Sequence, residues 1–161
     1  MDSIRAVALD VDGVLTDGGF WWGPSGEEFK RFSFADVMGV SLARKAGLVV
    51  ALVSGEDSPL VDRYAAKLGI DDVVKNCKDK AAALRAIAER HGLRAEDICF
   101  MGDDVNDLGA MRFAGVAAAP ADARPAVLAE ADFVTASRGG NGAVRELIEA
   151  ILAARRVAAP H

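Results

Sequence analysis

The sequence predicts an α/β fold, a mostly parallel sheet sandwiched by helices, and three observations predict it. Short apolar runs rich in Val, Ala, Leu and Ile recur along the chain, as in "IRAVALD", "LVVALVS" and "DICFMGDD". Amphipathic stretches lie between them, such as the one with Ala81, Leu84, Ile87 and Ala88 at helical spacing. Acidic and small polar residues collect where the apolar runs end. Strands alternating with helices make βαβ units, which lay helices on both faces of a parallel sheet.

In chain order, "IRAVALD" is the first strand. "GGFWWGPSGEEFKRFSF" has Gly-Pro-Ser-Gly punctuation between two short β-rich pieces, so residues of about 18–33 read as a β-hairpin. Asp36 is expected to cap a helix running through Lys45. "LVVALVS" is the second long strand, closed by Ser54 and Gly55. A helix over 57–68, the short strand "DDVVK" and a helix over 78–91 follow. "DICFMGDD" is a strand ending in acids, with a helix from Asn106 after it. The strand "GVAAA", a helix near 124–130, the strand "DFVT" and a last helix from about Gly142 to Arg155 complete the series. An Ala/Arg-rich tail occupies about 156–161, and residues 1–161 read as one domain, a length that allows a sizeable core.

The composition, 52% hydrophobic and 27% charged, is that of a globular chain, not a disordered one. A net charge of −5 argues against nucleic acid and against an anionic membrane as partner. The longest apolar run, Leu48 to Val53, is far too short to span a bilayer, and "MDSIRAVALD" lacks the pattern of a signal peptide, so a cytoplasmic protein is expected. Cys77 and Cys99 are unpatterned and form neither a metal cluster nor a disulfide framework; Cys99, inside "ICFMG", is expected to fill core. The two histidines, His91 at a helix end, where it is expected to cap or be solvated, and His161 at the last position, leave a serine–histidine triad without material.

Ligands of open α/β sheets bind at the carboxyl ends of the strands. Here the first strand ends in Asp10 and Asp12, the second in Ser54 and Gly55, and "DICFMGDD" in Gly102, Asp103 and Asp104, with Asp107 a turn on. Lys80 opens the helix before that strand. Crowded carboxylates repel and are tolerable around a hard cation; oxygen ligands without His or Cys suit Mg²⁺. Asp10 is placed to attack a phosphate, giving an aspartyl-phosphate, and Asp12 to protonate the leaving alcohol and then activate water. Gly13 permits a sharp turn. Ser54 and neighbouring amides can hold phosphate oxygens, Lys80 can offset their charge, and Asp103 completes the metal site. Two rivals start from the same acids: a phosphate-accepting receiver domain, disfavoured because no acid ends the second or third strand, and a catalytically silent oligomerisation domain.

"DVDGVLTDG", "LVSG", Lys80 and "GDDVND", in this order, resemble the four motifs of the haloacid dehalogenase superfamily of phosphohydrolases. The resemblance implies a Rossmann-like parallel sheet, and the gaps between the motifs leave no room for a cap domain. Within the superfamily, "DVDGVLTDG", "LGI", "DK", "GDDVND" and "GGNGAVREL" are similar to the 3-deoxy-manno-octulosonate 8-phosphate phosphatases and their nine-carbon relatives. That implies Asp10 as nucleophile, Asp12 as acid/base, and Mg²⁺ on the Asp10 side chain, the Asp12 carbonyl and Asp103. It implies Ser54 and Lys80 as phosphate ligands, with Asp107 as partner of Lys80 and Asp104 behind the metal ligands. The eight-carbon enzymes usually carry Gly-Arg after the second motif, whereas this chain has Gly55-Glu56, with Lys67 one helix later. "APADA" at 119–123 also has proline where they usually have valine. Both departures look like the nine-carbon phosphatases, so the expected substrate is a nonulosonate 9-phosphate such as 2-keto-3-deoxynononate 9-phosphate, with the octulosonate 8-phosphate as alternative. Glu56 is expected to face the sugar hydroxyls or pair with Lys67.

The hairpin carries Phe20, Trp21, Trp22 and Phe29. Alternation cannot bury both neighbouring tryptophans on one face, and a lone hairpin is marginal in water. Either one Trp covers the sheet and the other is loose, or the hairpin packs on another subunit. The resembling family members are tetramers whose hairpins and C-terminal tails roof neighbouring sites, so a homotetramer is expected.

Overall fold

The computed structural model describes residues 1–158. Its main sheet has six strands, all parallel: β1 (Ala6–Leu9), β4 (Val49–Val53), β5 (Asp72–Val74), β6 (Ile98–Met101), β7 (Val116–Ala119) and β8 (Phe133–Val134). They run in the order β5-β4-β1-β6-β7-β8. From β1 the chain builds outward to β4 and β5, then returns to β6 on the other side. The order therefore reverses between β1 and β6, where such sheets open a crevice at their carboxyl ends.

Alternation sorts the core into two layers. Val7, Leu9, Val50, Leu52, Cys99 and Met101 point to one side. There they meet α1 (Phe34–Lys45), α2 (Pro59–Leu68) and α6 (Ala143–Ala158). Ala6, Ala8, Ala51, Val53, Ile98 and Phe100 point to the other. That layer is closed by α3 (Lys80–His91), α4 (Leu108–Phe113) and α5 (Pro125–Glu130). Cys99 is fully buried, and both cysteines are free.

Three local readings change. Asp36 does not cap its own helix, whose N-cap is Ser33. It sits in the first turn of α1, fully buried, and accepts the N–H groups of Gly142 (3.3 Å) and Arg145 (3.0 Å). It thus satisfies donors at the start of α6, a helix more than a hundred positions away. After β6 the chain makes a one-turn 3-10 helix (Val105–Asp107) before α4 begins, so the α-helix starts later than Asn106. His91 is neither a cap nor merely solvated: its Nε2 lies 2.8 Å from buried Asp72.

The hairpin is a separate ribbon of β2 (Trp21–Trp22) against β3 (Glu28–Phe29). Neither tryptophan covers the sheet; they are 69% and 71% exposed, with Phe20 and Phe29 also exposed. Trp22 donates to Glu28 (3.1 Å) and packs against Phe20 with the rings tilted at 48° and their centroids 5.0 Å apart. Nothing larger than this hairpin interrupts the described strand–helix series. The end of the tail, residues 159–161, lies outside the described residues. No helix among the described residues is long and apolar enough to cross a membrane.

Candidate active site

A cavity of about 500 Å³ opens at the carboxyl edge of the sheet beside the β1/β6 crevice. Asp10, Asp12, Gly55, Glu56, Asp103 and Asp104 line it. Asp10 is the residue after β1, and its peptide N–H still donates to the carbonyl of Met101 (3.0 Å), so the sheet fixes its backbone. Its Oδ1 accepts from the Val11 N–H (2.8 Å) and from Lys80 Nζ (2.9 Å). Its Oδ2 has no N–H donor among the described hydrogen bonds.

Lys80, at the first turn of α3, spans two acids. Nζ donates to Asp10 and, at 2.6 Å, to Asp107 Oδ1. Asp107 Oδ2 accepts the N–H groups of Asp103 (2.9 Å) and Asp104 (3.2 Å). Asp107 is therefore a fully engaged, buried strut that shapes the Asp103–Asp104 turn and holds the lysine. Burial pushes the Asp10 carboxyl well above its ordinary range; the charge of Asp107 adds to this and Lys80 partly offsets it. Burial and the nearby charges of Asp107 and Asp104 push Asp103 up to about 6. Burial works against the charge of Lys80, but Asp10 and Asp107 more than offset it and its pKa is raised.

Carboxylate oxygens of Asp10, Asp103 and Asp107 lie within 4.8 Å of one another. With Asp107 engaged at both oxygens, Asp10 Oδ2 and the Asp103 carboxylate remain as neighbouring acceptors with no N–H to neutralise them. Gly13 makes their approach possible. Its φ is +86°, and a Cβ there would lie 1.9 Å from Asp103 Oδ2. A buried and a partly buried acid held toward protonation, with an all-oxygen donor set, fit a hard divalent cation.

Asp12, two positions on, is half-buried, and its Oδ1 lies 2.8 Å from Lys30 Nζ. Lys30 also reaches Glu28 (3.5 Å), with a side chain only 3% exposed. Burial opposes its charge, yet Asp12 and Glu28 raise its pKa overall. The Ser54 hydroxyl is buried at the foot of the second loop and accepts the Glu56 N–H (3.2 Å), leaving its own proton to donate. Asn76, the one described non-glycine residue with positive φ (48°), donates to the Glu56 carbonyl (3.1 Å) and so ties that loop to the approach to Lys80.

Lys67 does not join this group. It lines a separate apolar cavity of about 590 Å³ with Phe32, Phe34 and Tyr64, and makes no ion pair with Glu56. The last turn of α2 projects onto the α1 side of the sheet, away from the carboxyl edge. Lys30, Asp17, Asn106, Asp122, Arg124 and Arg138 escaped the sequence reading, although all but Lys30 line the reaction cavity. Lys30 had a local signal in strand alternation, which puts it on the side of Glu28, and Asp17, Asn106 and Asp122 lie inside the quoted stretches "DVDGVLTDG", "GDDVND" and "APADA". Arg124 and Arg138 reach the edge through loops no periodicity marks.

Fold and crevice place the chain in the haloacid dehalogenase class, and the model of the haloacid dehalogenase-like hydrolases matches residues 61–147. The 3-deoxy-D-manno-octulosonate 8-phosphate phosphatase of Escherichia coli K12 is 37% identical over 96% of this chain and 82% of its own. The crystal structure of the Moraxella catarrhalis phosphatase of that name, in complex with magnesium ion, phosphate ion and KDO, matches with a TM-score of 0.94. It is 35% identical, with 96% of this chain and 89% of that one covered. The cobalt-bound Haemophilus influenzae phosphatase gives 0.93 and 37%, over 96% and 91%. The chain belongs to the 3-deoxy-D-manno-octulosonate 8-phosphate phosphatase family of these hydrolases.

Proposed function

We propose that the protein is a Mg²⁺-dependent phosphatase that hydrolyses the phosphate monoester of a 2-keto-3-deoxy sugar acid. The observation that carries this reading is the Asp10–Lys80–Asp107 chain, which orients one Asp10 oxygen and leaves the other without a donor beside Asp103.

The Asp10 carboxylate attacks the phosphorus, the ester P–O bond breaks, and the leaving alkoxide takes the proton of the Asp12 carboxyl group. Asp12, now a carboxylate, accepts a proton from water. The water oxygen attacks the phosphorus of the aspartyl-phosphate, releasing phosphate and regenerating Asp10. Lys30 Nζ, 2.8 Å from Asp12 Oδ1, fixes the position of that side chain. The Ser54 hydroxyl, the Gly55 amide and Lys80 hold phosphate oxygens. Asp10, Asp103 and the Asp12 carbonyl would hold Mg²⁺, which would supply positive charge that offsets the phosphate and the crowded carboxylates. Asp104 and Asp107 shape the loop that presents Asp103.

The relatives favour the eight-carbon 8-phosphate as substrate. A second reading, the nine-carbon 9-phosphate, rests on Glu56 at the cavity wall, where an acid can accept hydrogen bonds from sugar hydroxyls. A cytoplasmic setting, where phosphorylated sugar acids are retained, and a homotetramer in which the exposed hairpin covers a neighbouring cavity complete the proposal. A phosphatase assay over a panel of sugar-acid and simple sugar phosphates, with and without Mg²⁺, tests it. Failure to release phosphate from any sugar-acid ester, in a folded preparation supplied with Mg²⁺, would reject the reading.

A further inference from the structure

The reaction cavity is strongly acidic for a site that takes an anion. Seven of its lining residues are acids, among them Asp17, Glu56 and Asp122 as well as the reacting pair. A phosphorylated sugar acid brings a carboxylate besides the phosphate, and glutamate at position 56 repels it. Lys80 is buried beneath the wall and committed to Asp10 and Asp107. The cations on the wall itself are Arg124 and Arg138.

Both guanidinium groups are available. Arg124 Nε lies 3.7 Å from Asp104 Oδ2, and Arg138 Nε lies 3.8 Å from Asp122 Oδ2. Those distances exceed a hydrogen bond, and the side chains are 71% and 73% exposed, so the terminal nitrogens of each fork are free for a bidentate carboxylate.

Position separates the two. The Arg124 peptide donates to the carbonyl of Asp103 (2.9 Å), which anchors that residue at the phosphate end. Arg138 also lines an adjoining hollow of about 440 Å³ with Asp17, Gly19, Asp122 and Asn141, beyond Asp10 and Asp103. The substrate's carboxylate is at the end of the carbon chain remote from the phosphate, so the outer arginine is the one it meets. The Arg138 backbone is held for this. The next residue, Gly139, donates to Asp122 Oδ1 (2.9 Å) and packs so closely that a Cβ would lie 1.9 Å from the Gly13 carbonyl. Gly140 donates to the Val14 carbonyl (3.0 Å), and Arg31 binds the Gly140 carbonyl (3.1 Å). A fixed backbone beneath a free fork suits selective recognition.

We infer that Arg138 is the specificity residue that pairs with the substrate's carboxylate, an assignment that rests on the sugar-acid phosphatase reading and replaces the arginine missing at position 56. The test compares wild type, Arg138→Ala, Arg138→Lys and Arg124→Ala on the sugar-acid phosphate that wild type hydrolyses best and on p-nitrophenyl phosphate, which has no carboxylate. Arg138→Ala is expected to lower kcat/KM for the sugar-acid phosphate tenfold or more, mostly through KM, and to leave p-nitrophenyl phosphate within twofold. Arg138→Lys recovers part of the loss, because it restores charge without the fork. Equal losses on both substrates, no loss on either, or a selective loss confined to Arg124→Ala overturns the assignment. Wild type that hydrolyses p-nitrophenyl phosphate but no sugar-acid phosphate overturns the parent reading and the assignment with it.

Discussion

Lys80 Nζ lies 2.9 Å from Asp10 and 2.6 Å from Asp107, so one buried ammonium bridges two carboxylates that follow the neighbouring strands β1 and β6. Removing one member of a buried ion pair costs about 3–5 kcal/mol, because the other charge stays buried and unpaired. Lys80→Ala in metal-free buffer is therefore expected to lose about that much in urea unfolding. Lys80→Met combined with Asp107→Leu, which removes the lysine together with one of its two buried partners, should recover part of it. A Lys80→Ala midpoint equal to wild type would mean that the lysine is not holding the acids.

The two acids of the first loop have separable signatures. Asp10→Asn keeps the size of the side chain and removes the attacking charge, so turnover is expected to vanish while far-UV circular dichroism is unchanged. Asp12→Asn should slow hydrolysis of a sugar ester about 10²–10⁴-fold, for want of a proton donor. The defect should shrink for p-nitrophenyl phosphate, whose leaving group needs no proton. Equal defects on both substrates would remove the acid role from Asp12.

Sequence patterns revealed the sheet because its signals are local: apolar runs such as "LVVALVS", helical spacing around Leu84 and Ile87, and acids at strand ends. Asp10 after β1 and Asp103 after β6 meet, with Lys80 from the start of α3, because parallel strands and the helices between them bring these ends to one edge. What escaped is information carried between distant segments. Asp36 looks like a cap for the helix it sits in, yet its partners are Gly142 and Arg145. Lys67 follows the second motif closely, but it sits in the last turn of α2, which carries it to another face. Arg124 and Arg138 lie in loops whose course is set by contacts such as Arg124 N–H to Asp103 O and Gly139 N–H to Asp122.

The loop that carries Arg138 has an acid-sensitive tether. Glu146 accepts the N–H groups of Ala136 (2.8 Å) and Ser137 (2.9 Å). Burial works against its charge, but these hydrogen bonds outweigh it and hold the carboxyl below its ordinary value of 4.5. A depressed carboxyl pKa means stabilisation that is present above the unfolded value and lost as pH falls through the folded one. Glu146→Ala should cost about 1–2 kcal/mol at pH 7, and the gap from wild type should narrow in urea titrations taken progressively below pH 4.5. A gap that stays constant with pH would show that the ionised carboxylate contributes nothing.

The exposed aromatics of the hairpin predict assembly. Covering Trp21 and Trp22 is worth roughly 3 kcal/mol each in removed apolar area, more than a two-residue ribbon gains by itself. Light scattering at assay concentration is expected to find an oligomer, and a tetramer if the hairpins roof neighbouring cavities. Trp21→Ser combined with Trp22→Ser should dissociate it and lower activity together. A fully active wild-type monomer would defeat the shared roof and leave the chemistry of Asp10 and Asp12 untouched.

Glu56 sits on the cavity wall directly after the Ser54–Gly55 turn, with its own N–H held by the Ser54 hydroxyl. An acid there repels the substrate carboxylate and accepts hydrogen bonds from sugar hydroxyls; an arginine does the opposite on both counts. The nine-carbon acid offers one more hydroxyl-bearing carbon than the eight-carbon acid. Glu56→Arg should therefore raise the ratio of kcat/KM for the eight-carbon 8-phosphate over the nine-carbon 9-phosphate by tenfold or more, equivalent to about 1.4 kcal/mol in transition-state binding. The same assay on wild type separates the two substrate readings: preference for the nine-carbon ester supports the role of Glu56 in choosing it, and preference for the eight-carbon ester assigns the protein the substrate of its named relatives. A mutant with an unchanged ratio would show that Glu56 is a solvated residue at the start of a loop and that substrate choice is made elsewhere on the cavity wall.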